Sequence, residues 1–201
     1  VEWQLYPAGT VPEFTQPEFF VRHDWIPPAL QLGHAERLEL VATMVAELAP
    51  ATVVDLGAGD GSLLGRLAEL GISGHGYDLG AANRDRATRA GRDVRAANIV
   101  DDLEKLDLAD LIVCTEVVEH LLDPHGWLRR LAAAAGDRLV VLSSPSSETD
   151  VDHYEHHAYA WDCDGYRELV EAAGFVVLEH RTVSAGRLEF QAVVIRAEEV
   201  R

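Results

Sequence analysis

Cys114 and Cys163 are the only cysteines in 201 residues, too few for a disulfide framework. That scarcity suits a reducing compartment, and the expected location is the cytoplasm. No apolar run approaches the length of a membrane span, and the first residues lack the charged-then-apolar order of a signal peptide. Basic residues are in short supply too: 17 Lys and Arg face 34 Asp and Glu, for a formal charge of −17. A protein that grips duplex nucleic acid usually carries a basic stripe, because neutralising phosphates supplies most of the affinity. Here the densest basic stretch, NRDRATRAGRDVR, is interleaved with aspartates. A nucleic-acid partner is therefore disfavoured. Neither an internal repeat nor a linker divides the chain, so one globular domain is expected, with 48% hydrophobic residues for its core. Nothing in the sequence reports an oligomeric state.

Residues 1–32 also lack a hydrophobic period of either 2 or 3.6. They are rich instead in proline and aromatics, among them Trp3, Tyr6, Phe14, Phe19, Phe20 and Trp25, and they run into WIPPAL. Disordered tails are poor in aromatics, so this segment is expected to form an irregular cap over a pocket. The domain proper is expected to span 33–201.

From Gly33 the pattern turns regular. HAERLELVATMVAELAP is an amphipathic helix ended by Pro50, TVVDLG a buried strand, and SLLGRLAELG a helix stopped by Gly71. GHGYDLG, DVRAAN and ADLIVCTE read as three more strands, with Cys114 buried in the last. A helix through HGWLRRLAAAAG, a fifth strand RLVVLSSP and a last helix DGYRELVEAAG follow. FVVLEHRTV and LEFQAVVIRA, joined through Ser184-Ala185-Gly186, form a terminal hairpin. The alternation implies an α/β fold: a doubly wound, mostly parallel, seven-stranded sheet with an antiparallel C-terminal hairpin. Ligands of such sheets sit at the carboxyl ends of the strands, where the strand order reverses.

Three motifs fall at those ends. Gly57, Gly59 and Gly61 follow the first strand in VVDLGAGDGSLL, where glycine permits a sharp turn and close approach to a ligand. Their spacing is G-x-G-x-G rather than the G-x-G-x-x-G of dinucleotide folds. Asp60 sets a carboxylate inside the turn that would repel a pyrophosphate, whereas Asp55 and Asp60 suit a ligand with cationic or neutral parts. Asp78 ends the second strand, well placed to accept hydrogen bonds from both hydroxyls of a ribose. In CTEVVEHLLD, Glu116, Glu119 and His120 stand where a strand becomes a helix, at spacings that put them on one helical face. DHYEHHAYAW then brings His153, His156 and His157 to the same mouth of the sheet.

Over roughly residues 30–200 the chain resembles the class I S-adenosylmethionine-dependent methyltransferases. Their glycine-rich first motif matches Asp55-Leu56-Gly57-Ala58-Gly59-Asp60-Gly61, and their ribose-binding acidic residue matches Asp78. The resemblance implies S-adenosylmethionine as cofactor, held by Asp55, Gly57, Ala58, Gly59, Asp60, Gly61, Asp78, Leu79, Asn98, Ile99 and Thr115. Asn98 stands where the family often has an aspartate for the adenine amine. The E-x-x-E-H element and the later histidine resemble the small-RNA 3′-terminal 2′-O-methyltransferases; ubiquinone-pathway O-methyltransferases share the first element. That likeness implies a Mg²⁺ or Mn²⁺ site at Glu116, Glu119, His120 and His157, with Glu116, His120 and His157 as the catalytic residues. Without a metal, His120 or His157 is a candidate general base, and the glutamates could simply favour a helix N-terminus. The leading expectation is O-methylation of a small molecule, with RNA ribose the second acceptor. A non-catalytic cofactor-binding module and a nicotinamide-dependent oxidoreductase are the competing classes.

Overall fold

The apolar runs between glycine turns become the strands of one sheet in a computed structural model, which describes residues 1–23 and 30–198. Trp25 and most of WIPPAL lie outside the described residues. In chain order the parallel strands are β2 (Thr52–Leu56), β3 (Ser73–Asp78), β4 (Val94–Ala96), β5 (Leu111–Thr115) and β6 (Leu139–Pro145). The terminal hairpin is β8 (Phe175–Ala185) and β9 (Leu188–Ala197). Sheet order is β4-β3-β2-β5-β6-β9-β8, with β9 antiparallel to both neighbours. The sheet is therefore the doubly wound, seven-stranded one that the sequence predicts. Strand order reverses between β2 and β5, which opens a crevice at their carboxyl ends.

Both faces are covered, as a parallel sheet requires. Val53, Val113, Val141 and Val194 pack under α2 (His34–Leu48) and α3 (Ser62–Glu69). Val54, Leu56, Ile112 and Leu142 face α5 (Pro124–Ala135) and α6 (Cys163–Ala172), with Trp161 and Tyr166 buried among them. Cys114 lies in this layer, 1% exposed. No helix among the described residues is long and apolar enough to cross a membrane.

Three local features depart from the sequence reading. The basic stretch contains a helix, α4 (Ala81–Arg89), that buries only Asn83 and Ala87. With so little apolar surface it shows no hydrophobic period, so the sequence pattern is silent there. The hairpin strands continue through Ser184 and Ala185, which leaves Gly186-Arg187 as a two-residue turn with Gly186 at φ 65°. The segment after β5 is not a helix start. Glu116 adopts φ 53°, Val118–His120 make one 3₁₀ turn, and α5 begins only at Pro124. Asp123 accepts a hydrogen bond from the Gly126 amide and Pro124 occupies the first turn, so the helix signal lies four residues beyond His120.

The N-terminal residues are tied to the domain. β1 (Glu2–Gln4) pairs antiparallel with the short strand β7 (Tyr159–Trp161), and Trp161 Nε1 donates to Glu2 at 2.7 Å. Farther along, α1 (Pro17–Arg22) carries Phe19 and Phe20 to the crevice, with ring centroids 5.1 Å from His156 and 6.1 Å from His120 respectively.

Candidate active site

A cavity of about 710 Å³ occupies the crevice, between the glycine turn on one side and Tyr154, Arg187 and Phe190 on the other. The turn is built as its sequence requires. Gly57 and Gly59 take φ 81° and 56°, and a Cβ on Gly57 would collide with Val117. The amides of Gly57 and Ala58 both donate to Tyr77 O, which ties the turn to β3. Gly61 caps α3, while Asp60 accepts from Ser62 N and Oγ and lies 3.6 Å from Arg92. Asp60 thus spends one oxygen on the helix start while still lining the cavity.

Asp78 accepts from Gly59 N at 2.8 Å, Gly80 N at 2.7 Å and Asn83 Nδ2 at 3.3 Å. Burial raises its pKa, against the pull of those hydrogen bonds. Leu79, Ile99 and Thr115 line the cavity beside it. Asn98 does too, although its amide is engaged in its own loop, donating to Asp101 and accepting from Val100 N. Asp55 is 1% exposed near the end of β2, and among the described residues its Oδ1 has no hydrogen-bond partner. Burial, and then the charge of Asp78, push its carboxyl up to about 7.

This gives Asp55 a pH signature. Between the ordinary aspartate value and about 7 the folded state keeps a proton that the unfolded state has lost, so stability falls as pH rises. Asp55→Asn removes that slope, worth up to about 4 kcal/mol. Urea unfolding of cofactor-free protein is expected to find the variant more stable than wild type at pH 8 and level with it near pH 4.

Beyond Thr115 the chain meets β6. Thr115 pairs with Ser143, and so Glu116 N donates to Ser143 O while Ser143 Oγ donates to Glu116 Oε1 at 2.8 Å. Arg37 of α2 closes on the other oxygen at 3.1 Å. Glu116, expected among the metal ligands, is therefore engaged as an ion pair.

Glu119, His120 and His157 do come together, each with a potential ligand atom within 4.8 Å of the others. Glu119 is fully buried, and among the described residues neither carboxylate oxygen has a hydrogen-bond partner. Burial, then the charge of Glu116, lift its pKa well above the carboxylate range. His120 Nδ1 lies 2.9 Å from His156 O, and burial, then His157, push the ring down to about 3. His157 Nδ1 lies 2.5 Å from Glu148 Oε2. With Nδ1 so engaged, Nε2 is the atom the His157 ring can turn to a ligand. Of the three later histidines, His157 completes this group. His153 lines the cavity rim, and His156 turns to Phe14, Phe19 and His23.

Arg37, Ser143 and Glu148 carry no motif that marks them as site residues; Glu148 alone has a local signal, as the first acidic residue after the fifth strand.

A family model described as a methyltransferase domain matches residues 32–180. Magnesium protoporphyrin IX methyltransferase from Synechocystis, with bound S-adenosylhomocysteine, superposes with a TM-score of 0.66 at 20% identity, over 82% of this chain and 84% of that one. A Burkholderia thailandensis 1,6-didemethyltoxoflavin N1-methyltransferase gives 0.63 at 22% identity, over 81% and 78%. The methyltransferase domain of a bacterial Hen1 protein gives 0.64 at 18% identity, over 80% and 96%. At such identities the structural likeness speaks to the fold. No functionally curated protein matches the chain by sequence. The matched domain leads to one conclusion: the chain belongs to the methyltransferase-domain family and has the fold of methyltransferases solved with bound S-adenosylhomocysteine.

Proposed function

We propose that this enzyme methylates a hydroxyl oxygen of a small-molecule acceptor beside a divalent cation held by Glu119, His120 and His157. The observation that carries this reading is Glu119: a fully buried carboxyl with both oxygens unpartnered among the described residues, facing two anchored imidazoles. A buried carboxylate needs a proton or a cation, and the His120 ring brings a potential ligand atom to the same group. The donor set suits Mn²⁺ better than Mg²⁺, which prefers oxygen. Such an ion supplies Lewis acidity that lowers the pKa of a neighbouring hydroxyl. The chain's own part is to seat the acceptor in line with the methyl group, and positioning supplies much of the rate. The described residues 1–23 serve as a cap, with Phe20 lining the cavity and shielding it from water. A formal charge of −17 favours a small acceptor over RNA, and two of the structural neighbours are named for small-molecule substrates.

A second reading rests on the bond from Glu148 to His157, which would equally orient a metal-free general base acting through Nε2. His120 does not fit that role, since a ring pushed down to about 3 is a poor proton acceptor. Chelation separates the two. Labelled methyl transfer to catechols, sugar diols and a short RNA is expected to drop at least about 100-fold after chelation, and Mn²⁺ should restore it. Transfer indifferent to chelator hands the role to His157; transfer to amines alone removes the hydroxyl reading.

A further inference from the structure

We infer that Glu148 is a positioning residue for this cation site, fixing the His157 ring and placing a second carboxylate behind it. The inference rests on the cation reading above. Both Glu148 oxygens are in use: Oε2 on His157 Nδ1 at 2.5 Å and Oε1 on the Tyr154 amide at 3.0 Å. One carboxylate thus holds the histidine and the turn that precedes it. Glu148 is itself anchored, because it follows a segment laced to the start of β9. Ser146 N and Oγ donate to Glu189, and Glu189 N donates to Ser147 Oγ.

The two ligand-bearing segments also hold each other. Ala158 N donates to Glu119 O at 2.6 Å, and His120 Nδ1 meets His156 O. Glu148 ties the His157 ring to the segment that follows β6. A carboxylate behind a metal-binding imidazole sets its tautomer and raises its basicity.

Charge adds to the inference. Arg37 pairs with Glu116, and the imidazoles carry no charge as ligands. With the cation bound, Glu119 faces it directly and Glu148 places a further carboxylate behind His157.

Glu148→Gln keeps the shape, and its carbonyl can still accept from Tyr154. In the metal-free protein, imidazole ¹⁵N spectra are expected to show His157 as the Nδ1–H tautomer in wild type and as a mixture in the variant. Mn²⁺ affinity by electron paramagnetic resonance should weaken about 10–100-fold, with S-adenosylhomocysteine affinity by calorimetry within about twofold. If Glu148→Gln does not fold, Glu148→Asp, too short to span both partners, is expected to shift both readouts the same way. Equal Mn²⁺ affinity in wild type and variant would overturn the positioning role alone. Parallel loss of Mn²⁺ and S-adenosylhomocysteine would also overturn it, marking Glu148 as scaffold. A wild type that binds no Mn²⁺ sinks this inference together with the cation reading.

Discussion

Glu119→Gln is expected to abolish Mn²⁺ binding and to slow methyl transfer roughly 10³-fold, with S-adenosylhomocysteine affinity unchanged. Size and shape are conserved, so any loss reports the missing charge. The same substitution should raise the stability of the metal-free protein, which separates a ligand from a structural residue. Burial, and next the charge of Glu116, hold the Glu119 pKa well above its ordinary value of 4.5. The folded state therefore keeps a proton that the unfolded state releases, and stability falls as pH rises above that value. Glutamine resembles the protonated form and carries no such penalty. Thermal unfolding of chelated protein at pH 8 should then place the variant above wild type, with the order reversed when Mn²⁺ is added. A variant that is destabilised yet still active would show that the buried carboxyl serves only packing.

The legible parts of this protein are those whose cause is local. β2, β5 and β6 announce themselves as apolar runs because a central parallel strand is buried on both faces. The glycine turn is equally visible, since positive φ at Gly57 and Gly59 demands the residue itself. α4 hides because a helix that buries two small or polar residues needs no apolar stripe. The pairing of β1 with β7 hides because it joins segments more than 150 residues apart, each three residues long. At the site, Glu119 and His120 are visible as a motif, but the reason they meet His157 is not. A helical face would have carried Glu116 along with them. Glu116 instead leaves β5 at φ 53°, and the Thr115–Ser143 register presents it to Ser143 and Arg37. No periodicity encodes that choice, because it depends on which strand lies beside β5 and which helix lies above it. Glu148 is a similar case: its position in the chain is readable, whereas its contact with His157 depends on how the intervening turn closes.

Asp78→Ala should produce the complementary result: S-adenosylhomocysteine affinity down on the order of 10³-fold, with Mn²⁺ binding kept. Two hydrogen bonds from ribose hydroxyls to a carboxylate are worth roughly 1.5–3 kcal/mol each, and alanine removes both acceptors. It also releases Gly59 N and Gly80 N, which Asp78 now holds at 2.8 and 2.7 Å, so the glycine turn loses its brace. The fold itself should survive. Burial already keeps the Asp78 pKa raised, so its charge costs stability at neutral pH rather than adding to it. Asp78→Asn retains an acceptor but not the charge, and its affinity should fall between the two. Calorimetry on the three proteins, beside Mn²⁺ titrations of each, tests the separation. If Asp78→Ala binds the cofactor as wild type does, the ribose lies elsewhere. If it loses Mn²⁺ as well, the two halves of the crevice are one cooperative unit, and the Glu119→Gln result must be read as a global effect rather than the removal of a ligand.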